Sequence, residues 1–303
     1  MLSIKKLLKT LFLFVAIFLV IAIVRFPYES YCDELIEMTK SAGRSRNVLL
    51  AIEGCSLGFP PTTVQFQSVS GFVVLNQALH LPFFLSNAKL SVSPLSLLLT
   101  RLDGNLELKA YNGELASKFT AGLFQPPQIV ESQLSGLQLG EHPAAQLYGL
   151  TGVLDGTFQA TLATLESQQH AWEAVSLDLS LREGNVQGGS VPYMPVPLPK
   201  ISNLEVSMKL IQDEDRLSIE SCTLSSSLGS AKCRGWIAVE GLGEISELSV
   251  RIDIDLAKDG AEALSGYLAL TAGMSPETKH ERWRVNVNKA PLKRVRASVK
   301  AIG

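Results

Sequence analysis

The residues whose types and spacing could do chemistry occur as short, separate motifs. Ser86 and Lys89 have the S-x-x-K spacing in which a lysine activates a serine nucleophile. His280-Glu281 begins like the H-E-x-x-H motif, whose two histidines bind zinc. Asp253 and Asp255 fall on one side of a predicted strand, where two carboxylates could share acid and base roles. Each motif needs partners elsewhere in the chain.

Those partners are absent from the sequence. Neither S-D-N nor K-T-G follows the serine motif, and Trp283-Arg284 follows the histidine motif in place of a second histidine. Ser249 and Arg251 share the predicted face of the two aspartates, which favours a solvated outer surface over an active site. The sequence therefore predicts no catalytic residue, and the chain is interpreted as a non-enzyme.

Sites for phosphates and metals are not predicted either. Gly241-Leu242-Gly243 lacks the third glycine and the βαβ frame of a dinucleotide site, so it is interpreted as a turn. Asp213-Glu214-Asp215 lacks the glycine and the downstream glutamate of a calcium loop. We therefore expect no cofactor and no bound metal.

Four cysteines, at positions 32, 55, 222 and 233, have neither C-x-x-C nor zinc-ligand spacing. Cys222 and Cys233 flank a predicted hairpin, and a turn near Ser227-Leu228 would place them opposite each other. They could form a disulfide in an oxidising compartment. The alternative is a pair of unlinked, partly buried thiols.

Composition and charge predict a folded protein that does not bind nucleic acid. Of the 303 residues, 46 % are hydrophobic and 18 % are charged, which is enough to form a core. Residues 1–25 carry a net charge of +4 and residues 276–303 carry +6, so the total of −2 leaves −12 for residues 26–275. An acidic body of this kind repels phosphate backbones.

The N-terminus predicts a membrane anchor. Leu11 to Val24 is an uninterrupted apolar run, and extension back to Leu7 makes it nearly long enough to cross a bilayer as a helix. The preceding lysines favour a cytoplasmic N-terminus with the body on the far side. A cleaved signal peptide is the alternative, but the exit Ala22–Pro27 lacks the small residues of a cleavage site. The residues assigned to the anchor include Leu7, Leu11, Phe14, Phe18 and Val24.

After the anchor, helical periodicity gives way to strand periodicity. Tyr31, Leu35 and Met38 have helical spacing within 28–42, and Gly43 is a stop signal. Two strands flank Asn112-Gly113, which favours a type I′ turn. Apolar and polar residues also alternate in 175–181, 204–211, 217–224 and 248–256.

Strands with one apolar and one polar face are typical of antiparallel sheets. The predicted fold class is therefore mainly β: an N-terminal transmembrane helix, then a long, curled antiparallel sheet with a few short helices. The domains are an anchor at 1–25, a body at 26–275 with two halves divided near 191–199, and a basic tail at 276–303. The tail is expected to keep one short strand, 283–287, and to be mobile elsewhere.

The order of these elements resembles a known family. The residues that carry the likeness are Phe26-Pro27-Tyr28 after the apolar run, 90–98 (LSVSPLSLL), 111–115 (YNGEL), 147–156 (LYGLTGVLDG) and 198–205 (LPKISNLE). Over roughly residues 1–270 the chain resembles the N-protein family of the bacterial type II secretion system, and its strand pattern is similar to the wider AsmA-like group.

The first resemblance implies a single-pass inner-membrane protein with a periplasmic β-rich body. Such a protein is an accessory to export through an outer-membrane secretin, and it would contact the secretin or the inner-membrane platform. The second implies a lipid-binding or lipid-transfer protein whose groove shields acyl chains. Neither supplies catalytic residues, and both leave Cys222, Cys233 and the basic tail without a role.

Overall fold

The structure is a computed structural model. It describes residues 28–45, 47–58, 62–76, 79–94, 96, 101–122, 127–164, 170–189, 199–213, 216–240, 244–275, 279–289 and 296–302. The predicted anchor, with Leu7, Leu11, Phe14, Phe18 and Val24, lies outside these residues, as does Gly241-Leu242-Gly243. In the described part of the chain, no helix combines the length and apolarity needed to cross a bilayer.

Fifteen strands form one antiparallel sheet. They are β1 (Val48–Gly58), β2 (Thr63–Asn76), β3 (Leu79–Leu85), β4 (Asn87–Val92), β5 (Arg101–Ala110), β6 (Gly113–Gly122), β7 (Pro127–Gln138), β8 (Leu150–Thr164), β9 (His170–Val186), β10 (Ile201–Asp213), β11 (Arg216–Ser226), β12 (Gly229–Glu240), β13 (Glu244–Leu256), β14 (Arg282–Lys289) and β15 (Arg296–Ala301). The strands follow chain order across the sheet, except that β3 pairs with one end of β2 and β4 with the other. The prediction of a mainly β, antiparallel fold is confirmed.

Two predictions, the curl of the sheet and the mobility of the tail, need correction. The strands follow one open path from β1 to β15, and the predicted curl is absent. β9 pairs with β10 on either side of the proline-rich segment near 191–199, so the sheet is continuous there. The tail forms both β14 and β15, which extend the sheet, so the expectation of a mobile tail is wrong for residues 296–301.

The hairpin between β5 and β6 turns one residue earlier than predicted. Ala110 pairs with Gly113, and the two residues between them, Tyr111 and Asn112, have φ angles of 48° and 57°. Tertiary contacts explain the shift, because the Tyr111 hydroxyl accepts a hydrogen bond from the Phe84 N–H at 3.0 Å. Gly113 is needed for a close approach, since a Cβ there would lie 2.5 Å from the Leu137 Cα.

Helix α1 (Tyr28–Arg44) confirms the predicted helix but packs through another stripe. Tyr31 and Met38, assigned to its apolar face, are 49 % and 62 % exposed. The helix instead contacts β1 through the buried Cys32, which is bonded to Cys55, and through Gly43 beside Leu50. Because Gly43 has no side chain and that of Cys32 is small, α1 approaches β1 more closely than larger residues would allow.

The remaining helices are α2 (Pro143–Leu147), which follows a 3₁₀ turn at Leu139–Glu141, and α3 (Lys258–Thr271). Helix α3 was not predicted, and it buries the best-packed cluster of the described residues. Ala269 and Trp283 are both 0 % exposed and pack with Val299. The indole N–H of Trp283 donates to the His280 carbonyl at 2.9 Å, so its polar atom is satisfied in this core.

We predict that Trp283→Ala lowers the free energy of unfolding by about 3–5 kcal/mol, because it leaves a large cavity between α3 and the sheet. Trp236→Ala is the matched control. Trp236 lies on the other face, under the Arg216 guanidinium at 3.9 Å, and its loss should cost about 1 kcal/mol. Urea unfolding of the full chain, followed by far-UV circular dichroism, measures both values. Equal losses would contradict this assignment of the core.

Candidate functional site

The two faces of the sheet differ in chemistry, and the apolar face is the candidate site. Directly opposed residues on neighbouring strands share a face. The register therefore aligns one row of mostly apolar side chains across twelve strands, which we call the central row. Its members, from β4 to β15, are Ala88, Leu108, Leu115, Leu134, Gly156, Leu179, Met208, Cys222, Cys233, Ile252, Val285 and Val299. At about 4.8 Å per strand, the row is about 50 Å long.

Of the described helices, α1 and α3 lie near the two ends of the sheet, while the short α2 and the 3₁₀ turn before it contact β8. Helix α1 packs on β1, and α3 packs near β13 and β15. Between them, the central-row residues from Leu108 to Met208 are half-buried, although they are aliphatic. Among the described elements, no second layer packs on this part. The middle of the sheet therefore presents an elongated, partly exposed aliphatic surface.

Polar groups on the apolar face are paired with each other. The Ser117 hydroxyl donates to the Ser132 hydroxyl at 2.8 Å across β6 and β7, so neither needs an external partner. The Cys222–Cys233 disulfide joins β11 to β12 within the central row, across the turn at Ser227-Leu228. This part of the sheet is thus apolar apart from hydroxyl groups that satisfy each other.

A second disulfide, Cys32–Cys55, was missed by sequence reasoning. It links α1 to β1, with Cα atoms 5.7 Å apart. Gly54 has a φ of +61°, which interrupts the alternation of β1, so Leu50 before it and Cys55 after it both face α1. The even number of cysteines was the available signal, but four cysteines allow three pairings and spacing alone does not choose among them.

The opposite face is polar and carries salt bridges across neighbouring strands. Arg182 donates to the Asp155 carboxylate through Nε at 3.1 Å, and the Gly136 N–H donates to the other carboxylate oxygen at 2.9 Å. The Gly136 hydrogen bond and Arg182 hold the pKa of Asp155 below its usual value. Asp155 therefore fixes the irregular point of β7, where Gly136 has a φ of +67°.

The motifs considered for catalysis are dispersed by the fold. Ser86 donates to the Lys109 carbonyl at 3.2 Å, while Lys89 forms a salt bridge with Glu107 at 3.3 Å. Asp253 and Asp255 do share the polar face, and each contacts arginine side chains. The described residues contain no group of three or more His, Cys, Asp or Glu side chains that could hold a metal ion.

Comparison of the chain with known protein families, with curated proteins and with solved structures gives no match.

We predict that the four cysteines occur only as Cys32–Cys55 and Cys222–Cys233 in the oxidised protein. Trypsin places each cysteine on its own peptide, so peptide mapping without reduction identifies the pairs. A Cys32→Ser and Cys55→Ser double variant should lose about 3 kcal/mol of stability, because the bridge closes a loop with a sequence separation of 23. Detection of a disulfide-linked peptide pair that joins Cys32 to Cys222 would contradict the assignment. A double variant as stable as wild type would contradict it as well.

We also predict a pH-dependent effect of Asp155→Asn. The pKa of Asp155 is lowered on folding, so its stabilisation is present above the unfolded-state value, near 3.9, and is lost as pH falls through the folded-state value. At pH 7 the variant should lose about 1 kcal/mol, and the difference from wild type should shrink on acidification below pH 4. Asp178→Asn, at an exposed site on the same face, is the control and should change little. Urea titrations at several pH values measure both effects.

Proposed function

We propose that the chain is a non-enzymatic accessory component of a type II protein secretion system. In this proposal the N-terminal apolar segment anchors it in the bacterial inner membrane and the sheet lies in the periplasm. The resemblance over residues 1–270 supports the assignment, as do the lysines that precede the apolar segment. Two disulfides are also in keeping with an oxidising compartment.

The observation that carries the proposal is the uncovered middle of the apolar face. Leu108, Leu115, Leu134 and Leu179 lie in one row on a single-layer sheet and remain half-buried. A contiguous apolar surface of this kind is typical of interaction sites. The proposed role is therefore docking, with the secretin or the inner-membrane platform as the candidate partner, and it needs no chemistry from the side chains.

A second candidate function is lipid binding or transfer, and the same row favours it for a separate reason. The side chains from Leu108 to Met208 are mainly aliphatic over a length of about 24 Å, with few aromatic residues among them. Protein interfaces are enriched in aromatic residues, whereas a uniformly aliphatic surface is also suited to acyl chains. On this proposal, phospholipid chains would cover the middle of the apolar face.

Deletion of the gene, followed by complementation, tests the first proposal. Loss of secreted enzymes from the medium is expected on deletion, with an unchanged outer membrane. Leu134→Asp should fail to restore secretion, because it places a charge in the central row. Gln133→Asp is the matched control: it adds the same charge to the neighbouring exposed position on the other face, and it should restore secretion.

Lipid analysis of the same purified variants separates the two proposals. Far-UV circular dichroism and the disulfide pattern must first show that Leu134→Asp is folded. Normal secretion after deletion, with phospholipid that co-purifies with wild type but not with Leu134→Asp, would favour lipid handling over secretion. If secretion is unchanged and no phospholipid co-purifies with any variant, both proposals fail.

A further inference from the structure

A second surface, on the polar face of the last four strands, has a strong positive charge. Seven basic side chains lie there, which we call the basic patch: Lys232, Arg234, Arg251, Arg282, Arg284, Arg296 and Lys300. Among the described side chains of this face, the acidic residues are Asp253, Asp255 and, near the far end of β13, Glu247. The patch therefore has an excess of four positive charges, although the chain as a whole has a net charge of −2.

The register places like charges next to each other in this patch. Arg234 lies directly opposite Arg251, and Arg284 lies directly opposite Lys300. Directly opposed like charges destabilise a sheet. The Asp253 carboxylate, which contacts Arg234, Arg251 and Arg284, relieves only part of this repulsion. An external anion would remove it.

Internal carboxylates neutralise only part of the charge. Asp253 receives three arginines, with contacts of 2.6 Å from Arg284, 3.4 Å from Arg251 and 3.5 Å from Arg234. The first two of these arginines lower the pKa of Asp253, so the carboxylate stays charged at neutral pH. Asp255 pairs with Arg282 at 3.2 Å. In the part of the chain that the structure describes, Lys232, Arg296 and Lys300 form no salt bridge.

The patch is also accessible and firmly supported. The Arg234 and Arg282 side chains are 65 % and 68 % exposed. On the other face of the same strands, Trp283 packs under α3 in the best-packed cluster of the described residues. The strands are therefore held in place from behind, and the basic side chains extend from a rigid backbone.

We propose that the basic patch binds the phosphate groups of anionic phospholipids at a bilayer surface. Clusters of four to eight lysines and arginines are attracted to such surfaces. A protein partner fits less well, because the buried core of a protein interface is mainly apolar, whereas this centre holds the Asp253 carboxylate among arginines. Trp236 adjoins the patch on the same face, with Arg216 stacked on it at 3.9 Å, and tryptophan is enriched where membranes meet water. The inference is independent of the proposed role in secretion.

Vesicle flotation tests the proposal with the full chain held in phosphatidylcholine nanodiscs, so that its apolar N-terminal segment is already occupied. Separate vesicles of phosphatidylcholine, with or without phosphatidylglycerol, are then added. The protein should float only with the phosphatidylglycerol vesicles, and added salt should weaken this binding because the attraction is electrostatic. Inorganic phosphate at matched ionic strength should compete no better than chloride.

The matched variants change net charge equally at opposite ends of the polar face. The patch variant combines Arg234→Gln, Arg282→Gln and Lys300→Gln, and its affinity for phosphatidylglycerol vesicles should fall on the order of a hundredfold. The control combines Lys89→Gln, Lys109→Gln and Lys118→Gln on β4–β6, and it should stay within a few-fold of wild type.

Four outcomes overturn the proposal. They are equal loss in both variants, equal flotation with both kinds of vesicle, binding of wild type that is insensitive to salt, and displacement by phosphate itself at matched ionic strength. The last would indicate a site for free phosphate. Since three of the four outcomes need only wild type, the test does not depend on the folding of the patch variant.

Discussion

Register between neighbouring strands is the constraint on which the two-faced sheet depends. Because side chains alternate between faces, a slip of one residue in any pair would move the apolar residues of one strand to the polar side. Among the described elements, most of the sheet has no second layer whose packing would select the correct face, so strand pairing itself must keep the two faces apart. The central row runs from Ala88 to Val299 although many of the intervening pairings shift register elsewhere along their length. Two surfaces with different chemistry result, one aliphatic and one charged.

Irregular residues adjust this register at defined points. Gly54 reverses the alternation of side chains within β1. Helix α1 therefore covers side chains that precede Gly54 and side chains that follow it. Gly136 interrupts the pairing of β7 with β8, and the Asp155 carboxylate binds its N–H from the polar face. A contact stabilises the backbone near each of these two glycines, a disulfide beside Gly54 and a charged hydrogen bond at Gly136. The apolar face stays continuous because both departures are local.

Alternation within a single strand is a local property, and the strands at 175–181, 204–211, 217–224 and 248–256 follow from it directly. The two-faced character of the sheet was predictable for the same reason. Contacts between distant parts of the chain could not be predicted in this way. Helix α3 lacks a strong apolar stripe and depends on Trp283 and Val299 further along the chain, while the early turn at Tyr111 depends on Phe84. The packing of α1 on β1 determines which cysteine pairs with Cys32 and which stripe of α1 is buried. This packing involves two separate segments, so neither segment alone predicts it.

Among the strands that the structure describes, β15 lies at an edge of the sheet, and no other strand pairs with the N–H and C=O groups on its outer side. Such edges can add strands from other molecules and so begin aggregation. If two copies paired antiparallel through β15 about Ser298, Arg296 of one would lie opposite Lys300 of the other, at both ends of the contact. This repulsion opposes self-association at the edge, so the basic residues of β15 help to keep an extended, single-layer sheet from polymerising into a ribbon.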